Sequence, residues 1–240
     1  MTELLYQLDS YCREFDARVL ATNTELNAIQ LERTCIYPGG GGQPFDRGAL
    51  SMDGADLHFT RAKTINGEHW HLLESTQPLP EKGAPVHGSI DWEYRHQLMR
   101  THTAMHILCG VIFRDYAAQV TGGDMQALEA RMDFEFESLS KELTGVIEEA
   151  VNKEVELNHP IRVKILPREE AFKIPDLIRT KINLLPEHIS EIRTVEIVGL
   201  DLQADGGTHV ANTSEVGHIR ISDYKSKGKI NKRIYVSIDD

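Results

Sequence analysis

The sequence predicts two successive domains. A small β-barrel or sandwich is expected over residues 1–90, followed over residues 91–240 by a domain mixing long helices with strands. Three observations carry this expectation. Short β-prone runs alternate with turn residues through the first part of the chain, at the spacing of a small barrel or sandwich. A glycine- and proline-rich segment at 37–48 suits neither a packed helix nor a central strand. From Asp91 the apolar residues change to steps of three and four, as on a long amphipathic helix.

In the first domain, residues 19–22 and 28–31 read as strands joined by the turn-forming stretch 23–27. Further short strands are expected around 57–59, 70–73 and 86–90. Asp91 is a suitable N-cap for a helix running to about Tyr116, with Leu98, Met105, Leu108 and Ile112 on one apolar face. A second helix is expected over 139–158, with Leu143, Val146, Ile147, Ala150 and Leu157 as its buried stripe. Strands follow at 161–166 and 192–198, and a closing pair at 216–222 and 234–238.

The gross numbers limit the function classes. A formal net charge of -11 argues against a protein held on nucleic acid or membrane by bulk attraction, while leaving room for a local basic patch. Cys12, Cys35 and Cys109 form no C-x-x-C pair, and with no secretory leader in evidence they suggest a reducing cytoplasm. The polar, acidic N-terminus resembles neither signal nor transit peptide. No apolar run approaches the roughly 20 residues needed to cross a bilayer, so no membrane partner is expected.

His102-Thr103-Ala104-Met105-His106 sets two imidazoles four positions apart on a predicted helix. Such residues project from one face, where they can grip a small cation, or they can simply be polar surface or satisfied core. Asp205-Gly206-Gly207-Thr208-His209 strengthens the metal interpretation. Gly206 and Gly207 permit a tight reversal that brings Asp205 and His209 face to face. Three imidazoles and a carboxylate suit one Zn²⁺ per chain. Asp205 is otherwise a turn residue bonding nearby backbone amides.

At these residues the chain resembles a known family. HTAMH and DGGTHV are similar to the editing domain shared by alanyl-tRNA synthetases and the freestanding AlaX editing proteins. That family carries H-x-x-x-H and, far downstream, C-x-x-x-H around one zinc; Asp205 stands here at the cysteine position. Further support comes from Met99-Arg100-Thr101, Val151-Asn152-Lys153, Leu166-Pro167-Arg168-Glu169-Glu170-Ala171 and Thr213-Ser214-Glu215-Val216-Gly217-His218-Ile219. The segment TCIYPGGGGQPFDRGAL resembles the Gly-rich motif of the longer, two-domain members. The resemblance covers nearly the whole chain. It implies a small β-barrel-like domain followed by an α+β editing domain of the alanyl/threonyl-tRNA synthetase type. With no room for an aminoacylation domain, it also implies a trans-acting editor.

The substrate so implied is alanine tRNA mischarged with serine or glycine, hydrolysed without ATP. Serine differs from alanine by one hydroxyl, and a site built to hydrogen-bond that hydroxyl rejects alanine strongly. The family pattern points to Thr121 as the hydroxyl reader, against a plain loop threonine. It also points to Gly40, Gly41, Gly42, Gln43, Gly206, Gly207 and Thr208 as substrate contacts. No catalytic group beyond the metal ligands is assigned. Lys225, Lys227, Lys229, Lys232 and Arg233 form the one strongly basic stretch; it is either a phosphate contact or a solvated hairpin tip. Arg95 and Arg100 are further candidates for tRNA. A generic zinc hydrolase lacks support from any H-E-x-x-H signature. A non-catalytic zinc module binding tRNA or a synthetase remains the alternative, because four protein ligands leave no open tetrahedral position. Oligomeric state is not encoded in any motif recognised.

Overall fold

The computed structural model describes residues 1–74, 78–180 and 189–239. The chain divides into two compact units. One comprises Met1–Gly40 and Pro44–His96, and the other comprises Gly41–Gln43 and Gln97–Asp240.

The first unit is almost wholly β. Its strands are β1 (Glu3–Leu4), β2 (Glu14–Asn23), β3 (Ala28–Leu31), β4 (Arg33–Thr34), β5 (Gly48–Met52), β6 (Ala55–Asp56), β7 (Phe59–Ile65), β8 (Glu68–Leu73) and β9 (Pro85–Ile90). Seven of them form a sheet in the order β6-β5-β9-β2-β3-β8-β7, while β1 and β4 pair in parallel. Among the described residues no pairing joins β6 to β7. The sheet is therefore an open ladder, and the expected barrel is not closed. The long strand β2 alternates Phe15, Ala17 and Val19 inward with exposed Glu14, Asp16 and Arg18 outward, the period of a half-buried strand. Its inward residues meet Ile29, Leu31, Leu50 and Val86 in one apolar cluster.

The helix α1 (Trp92–Tyr116) begins where the sequence places it. Asp91 Oδ1 accepts from Tyr94 N at 3.2 Å, the expected cap. Leu98, Met105, Leu108 and Ile112 are buried as the periodicity predicts. Every residue from Thr101 to Ile112 is buried as well, so the expected single apolar face is too narrow. A helix enclosed on all sides is a core element, and any polar side chain on it needs a partner.

The rest of the second unit contains β10 (Val120–Gln126), β11 (Glu129–Glu135), α2 (Lys141–Glu156), β12 (Ile161–Pro167), the short α3 (Arg168–Ala171), β13 (Glu191–Ile197), β14 (Asp201–Ala204), β15 (Ile219–Ser226) and β16 (Asn231–Ile238). They form two sheets, β10-β11-β16-β15 and β12-β13-β14, each wholly antiparallel. The stripe expected on α2 is displaced. Thr144, Ile147, Val151, Glu154 and Val155 are buried, whereas Val146 and Leu157 are more than half exposed. Polar contacts explain the change. Thr213 donates its hydroxyl to the Glu154 carbonyl at 2.8 Å, and the Glu154 carboxylate accepts from Arg114 and His159. Asn152 covers the edge of β15 by bonding both N and O of Ile219, at 2.9 and 2.7 Å.

Two features of the second unit position the site. Gly110 lets α1 approach the start of β14, where a Cβ would stand 2.9 Å from Leu200 Cγ and 3.0 Å from Asp201 Cβ. The β13–β14 hairpin then extends to Asp205, whose N–H donates to Arg193 O at 3.1 Å. Among the described residues no helix is long and apolar enough to cross a membrane.

Candidate metal centre

His102, His106, Asp205 and His209 converge, with ligand-capable atoms all within 4.8 Å of one another. The histidines of α1 lie one helical turn apart, and the other two groups flank the turn after β14. His102 Nε2 is 3.4 Å from Asp205 Oδ1, and His209 Nε2 is 3.1 Å from Asp205 Oδ2. The His102 and His209 rings lie 4.3 Å apart between centroids, and those of His106 and His209 4.7 Å.

Each member has a second partner behind it. His102 Nδ1 lies 2.9 Å from Gln43 Oε1. His209 Nδ1 lies 3.1 Å from Thr103 Oγ1. His106 Nδ1 stands 3.4 Å from Asp201 Oδ2; Asp201 in turn accepts from Gln203 at 2.6 Å and from Arg179 at 3.2 Å. Asp205 Oδ2 accepts from Gly207 N at 2.7 Å, and its carbonyl accepts from Arg193 Nη1 at 3.0 Å. Outer partners of this kind orient ligands and set their basicity.

The electrostatics favour neutral rings beside an ionised carboxylate. Burial lowers His102 to about 4. Burial and the adjacent His102 hold His209 well below the ordinary histidine value. Burial opposes ionisation of Asp205, yet His102 and His209 hold its carboxyl well below the usual range. His106 is the exception: burial would lower it, but the nearby Asp201 carboxylate and the charge of Asp205 raise it. A neutral imidazole and a carboxylate are the forms that bind a divalent metal.

The glycines serve in ways the sequence does not announce. Gly206 and Gly207 are not in left-handed conformations, so the expected reversal does not depend on that freedom. Gly207 is required for space, since a Cβ there would lie 2.6 Å from Gln43 Oε1 and closer still to the His102 ring. The φ values of Gly39, Gly40, Gly41 and Gly42 are +84°, +136°, +58° and +92°, which ordinary side chains resist. In the second unit, Gly41 and Gly42 are exposed. Cβ positions built on them would stand 4.0 Å from Asp205 Oδ1 and 3.8 Å from Gly123 O.

The other sequence-predicted residues are distributed as follows. Gln43 and Thr208 are buried and bond each other twice. Thr121 is exposed on β10, outside the four-residue cluster, and donates to Asn231 Oδ1 at 2.9 Å. Gly40 is exposed within the first unit. Arg95 requires correction as a tRNA contact. It is fully buried, donating to Asp46 through two nitrogens and to the carbonyls of Ser10 and Cys35, so it presents no surface to a phosphate. Arg100 bonds the Val216 and Asp239 carbonyls. Lys232 is buried, with Nζ on the Gly228 and Lys229 carbonyls. Arg233 makes a bidentate pair with Asp133 at 2.6 and 2.8 Å. Lys225 is exposed but pairs with Asp223 Oδ2 at 3.2 Å, and Lys227 and Lys229 are exposed beside it. Sequence reasoning missed Thr103, Asp201 and Arg193. A threonine inside the helix motif and an aspartate at the start of a short strand carry no signal of their own.

Residues 192–235, which include Asp205 and His209, match the family described as the threonyl and alanyl tRNA synthetase second additional domain. Residues 10–94 match the class II (A) tRNA synthetases. The second unit thus carries a segment of the synthetase second-additional-domain type, and the site's Asp205 and His209 lie within it. The chain is 37% identical over 246 residues to the alanyl-tRNA editing protein AlaX-M of Methanosarcina acetivorans, covering 100% of both. It is 39% identical to AlaX-M of Saccharolobus solfataricus, covering 99% of each. The alanine–tRNA ligase of Pyrococcus furiosus is 36% identical over 92% of this chain and 24% of the ligase. The chain belongs to the AlaX family of alanyl-tRNA editing proteins.

Proposed function

We propose that this protein is a trans-acting deacylase. It hydrolyses serine or glycine from mischarged alanine tRNA in the cytoplasm, with one Zn²⁺ bound by His102, His106, Asp205 and His209. The observation that carries the proposal is the convergence of these four residues in a chain related along its full length to alanyl-tRNA editing proteins. The donor set fits zinc, which accepts imidazole nitrogen and carboxylate oxygen at four positions. Three free cysteines suit a reducing compartment.

When bound, the metal supplies positive charge next to the ester. The protein supplies position. An aminoacyl ester is already activated, so holding the 3′ end and a water in register provides much of the required acceleration and no ATP is needed. Gly41, Gly42 and Gly206, exposed beside the cluster, present backbone groups without side chains in the way. Thr121 offers its hydroxyl oxygen as the acceptor that tells serine from alanine. Lys225, Lys227 and Lys229 are the phosphate contacts.

The test is deacylation of Ser-, Gly- and Ala-charged alanine tRNA, with and without chelator. Selective, chelator-sensitive loss of serine is expected. Tight binding without deacylation would instead identify a zinc module that holds tRNA, and no effect on any of the three would exclude the proposal.

A further inference from the structure

We propose that Gln43 is a positioning residue of this centre, fixing His102 in the tautomer that leaves Nε2 free to bind metal. The inference rests on reading the four-residue cluster as a metal site. Gln43 is 3% exposed and belongs to the same compact unit as the cluster.

The two ends of its amide are distinguished by the backbone. The atom 2.9 Å from Thr208 N must be an acceptor, because a backbone N–H can only donate; that atom is Oε1. Gln43 Nε2 then donates to Thr208 Oγ1 at 2.8 Å; turning the amide over would set its NH₂ against the Thr208 N–H and lose that backbone bond. The same Oε1 lies 2.9 Å from His102 Nδ1. Oε1 carries no proton, so Nδ1 must. With the proton on Nδ1, the lone pair of the ring sits on Nε2, which faces Asp205 Oδ1 at 3.4 Å. The other tautomer would set two lone pairs against each other and aim an N–H at the metal position. The orientation thus passes from the Thr208 backbone through one amide to one imidazole. Gly207 leaves the space in which these three groups meet.

The experiment uses the full chain. The tautomer of His102 is read in the metal-free protein from long-range ¹⁵N–¹H correlation at pH 7.5. Zinc affinity is then measured against a chromophoric competing chelator. Wild type is expected to show the Nδ1–H form. Gln43→Met, similar in length but without an acceptor, should lose that preference and bind zinc about 10- to 100-fold more weakly. Gln43→Glu keeps an acceptor at the same place and should keep the tautomer and escape the roughly 10- to 100-fold loss of affinity that follows removal of an outer partner. An Nε2–H tautomer in the wild type would overturn the proposal without any variant. So would a Gln43→Met protein with unchanged tautomer and affinity. Failure of the wild type to take up one zinc, or uptake that survives His106→Ala, would instead refute the metal reading, and the tautomer measurement distinguishes the two results.

Discussion

Asp205 Oδ2 accepts from Gly207 N at 2.7 Å, while Asp205 Oδ1 stands 3.4 Å from His102 Nε2. One carboxylate therefore closes the turn with one oxygen and turns the other toward His102, so the two roles expected for it as alternatives are geometrically compatible. Replacement at this position should affect the metal more than the fold. Asp205→Ala should lower zinc affinity at least about tenfold, and Asp205→Cys should raise it and narrow the range of divalent ions accepted, since thiolate is the softer ligand. Metal content after dialysis against competing chelator measures both. Full occupancy in the alanine variant would leave Asp205 with the turn alone.

Gly207→Ala puts a methyl group into the His102 ring and the Gln43 amide. Overpacking of this kind costs roughly 1–3 kcal/mol. The expected result is a lower urea midpoint together with weakened zinc binding. Gly206→Ala, whose Cβ would meet nothing within 4 Å, should be nearly silent in both measurements.

Thr121→Val should reduce discrimination between serine and alanine on the tRNA while leaving zinc content unchanged. The hydroxyl is exposed and donates to Asn231 Oδ1, so its oxygen can still accept from a substrate hydroxyl. Ratios of kcat/KM for the two aminoacyl-tRNAs are the measurement. An unchanged ratio removes Thr121 from the mechanism.

Charge variants should separate the surface lysines from the buried arginine. Removing Lys227 or Lys229 should weaken tRNA binding and lower the slope of log affinity against log salt by about one for each phosphate no longer neutralised. Arg95→Met should leave that slope alone in whatever protein folds. It strands the buried Asp46 carboxylate, and breaking such a pair costs about 3–5 kcal/mol. Chemical denaturation and salt-dependent binding together assign each residue.

The histidines of β8 predict an acid weakness in the first unit. Burial, reinforced by the nearby His69, holds His71 down at about 3, and burial holds His69 at about 4. In the unfolded chain both titrate near pH 6.5, so below that pH the unfolded state binds protons the folded state refuses. Stability is complete above about pH 6.5 and falls as pH drops, by about 2 kcal/mol for His71 at pH 5. Urea midpoints of the metal-free protein at pH 7.5 and pH 5 check this. His71→Gln should shrink the difference between them. An equal difference in the variant would refute it.

The legible parts of this protein are the local ones. Asp91 and the spacing from Leu98 to Ile112 announce α1, and the four-residue steps His102–His106 and Asp205–His209 announce the cluster that converges in the fold. Each signal is complete within a few turns of chain. On α2 the apolar pattern misleads, because Glu154 is buried through polar contacts to Thr213, Arg114 and His159 that the pattern does not contain. In β10 the glycines 122 and 123 and the acidic Asp124 conceal a strand whose pairing with β11 supplies the order. Arg95 appears on a predicted helix as a free cation, and only the fold reveals Asp46 against it. Gln43 appears as part of a glycine loop because its partners are 59 and 165 positions away.

That last separation bears on how long the native state survives. A bond across 165 positions carries a closure cost that local structure does not share. Contacts of this kind mature after the main barrier to folding when the elements they join are already formed. Weakening Gln43 should then speed unfolding in urea several-fold and leave refolding nearly unchanged, the pattern of a bond absent from the transition state. Stopped-flow chevrons of wild type and Gln43→Met would show it. The half-life of the native chain, and with it resistance to proteases that act on opened molecules, would then depend on one amide set between a backbone and an imidazole.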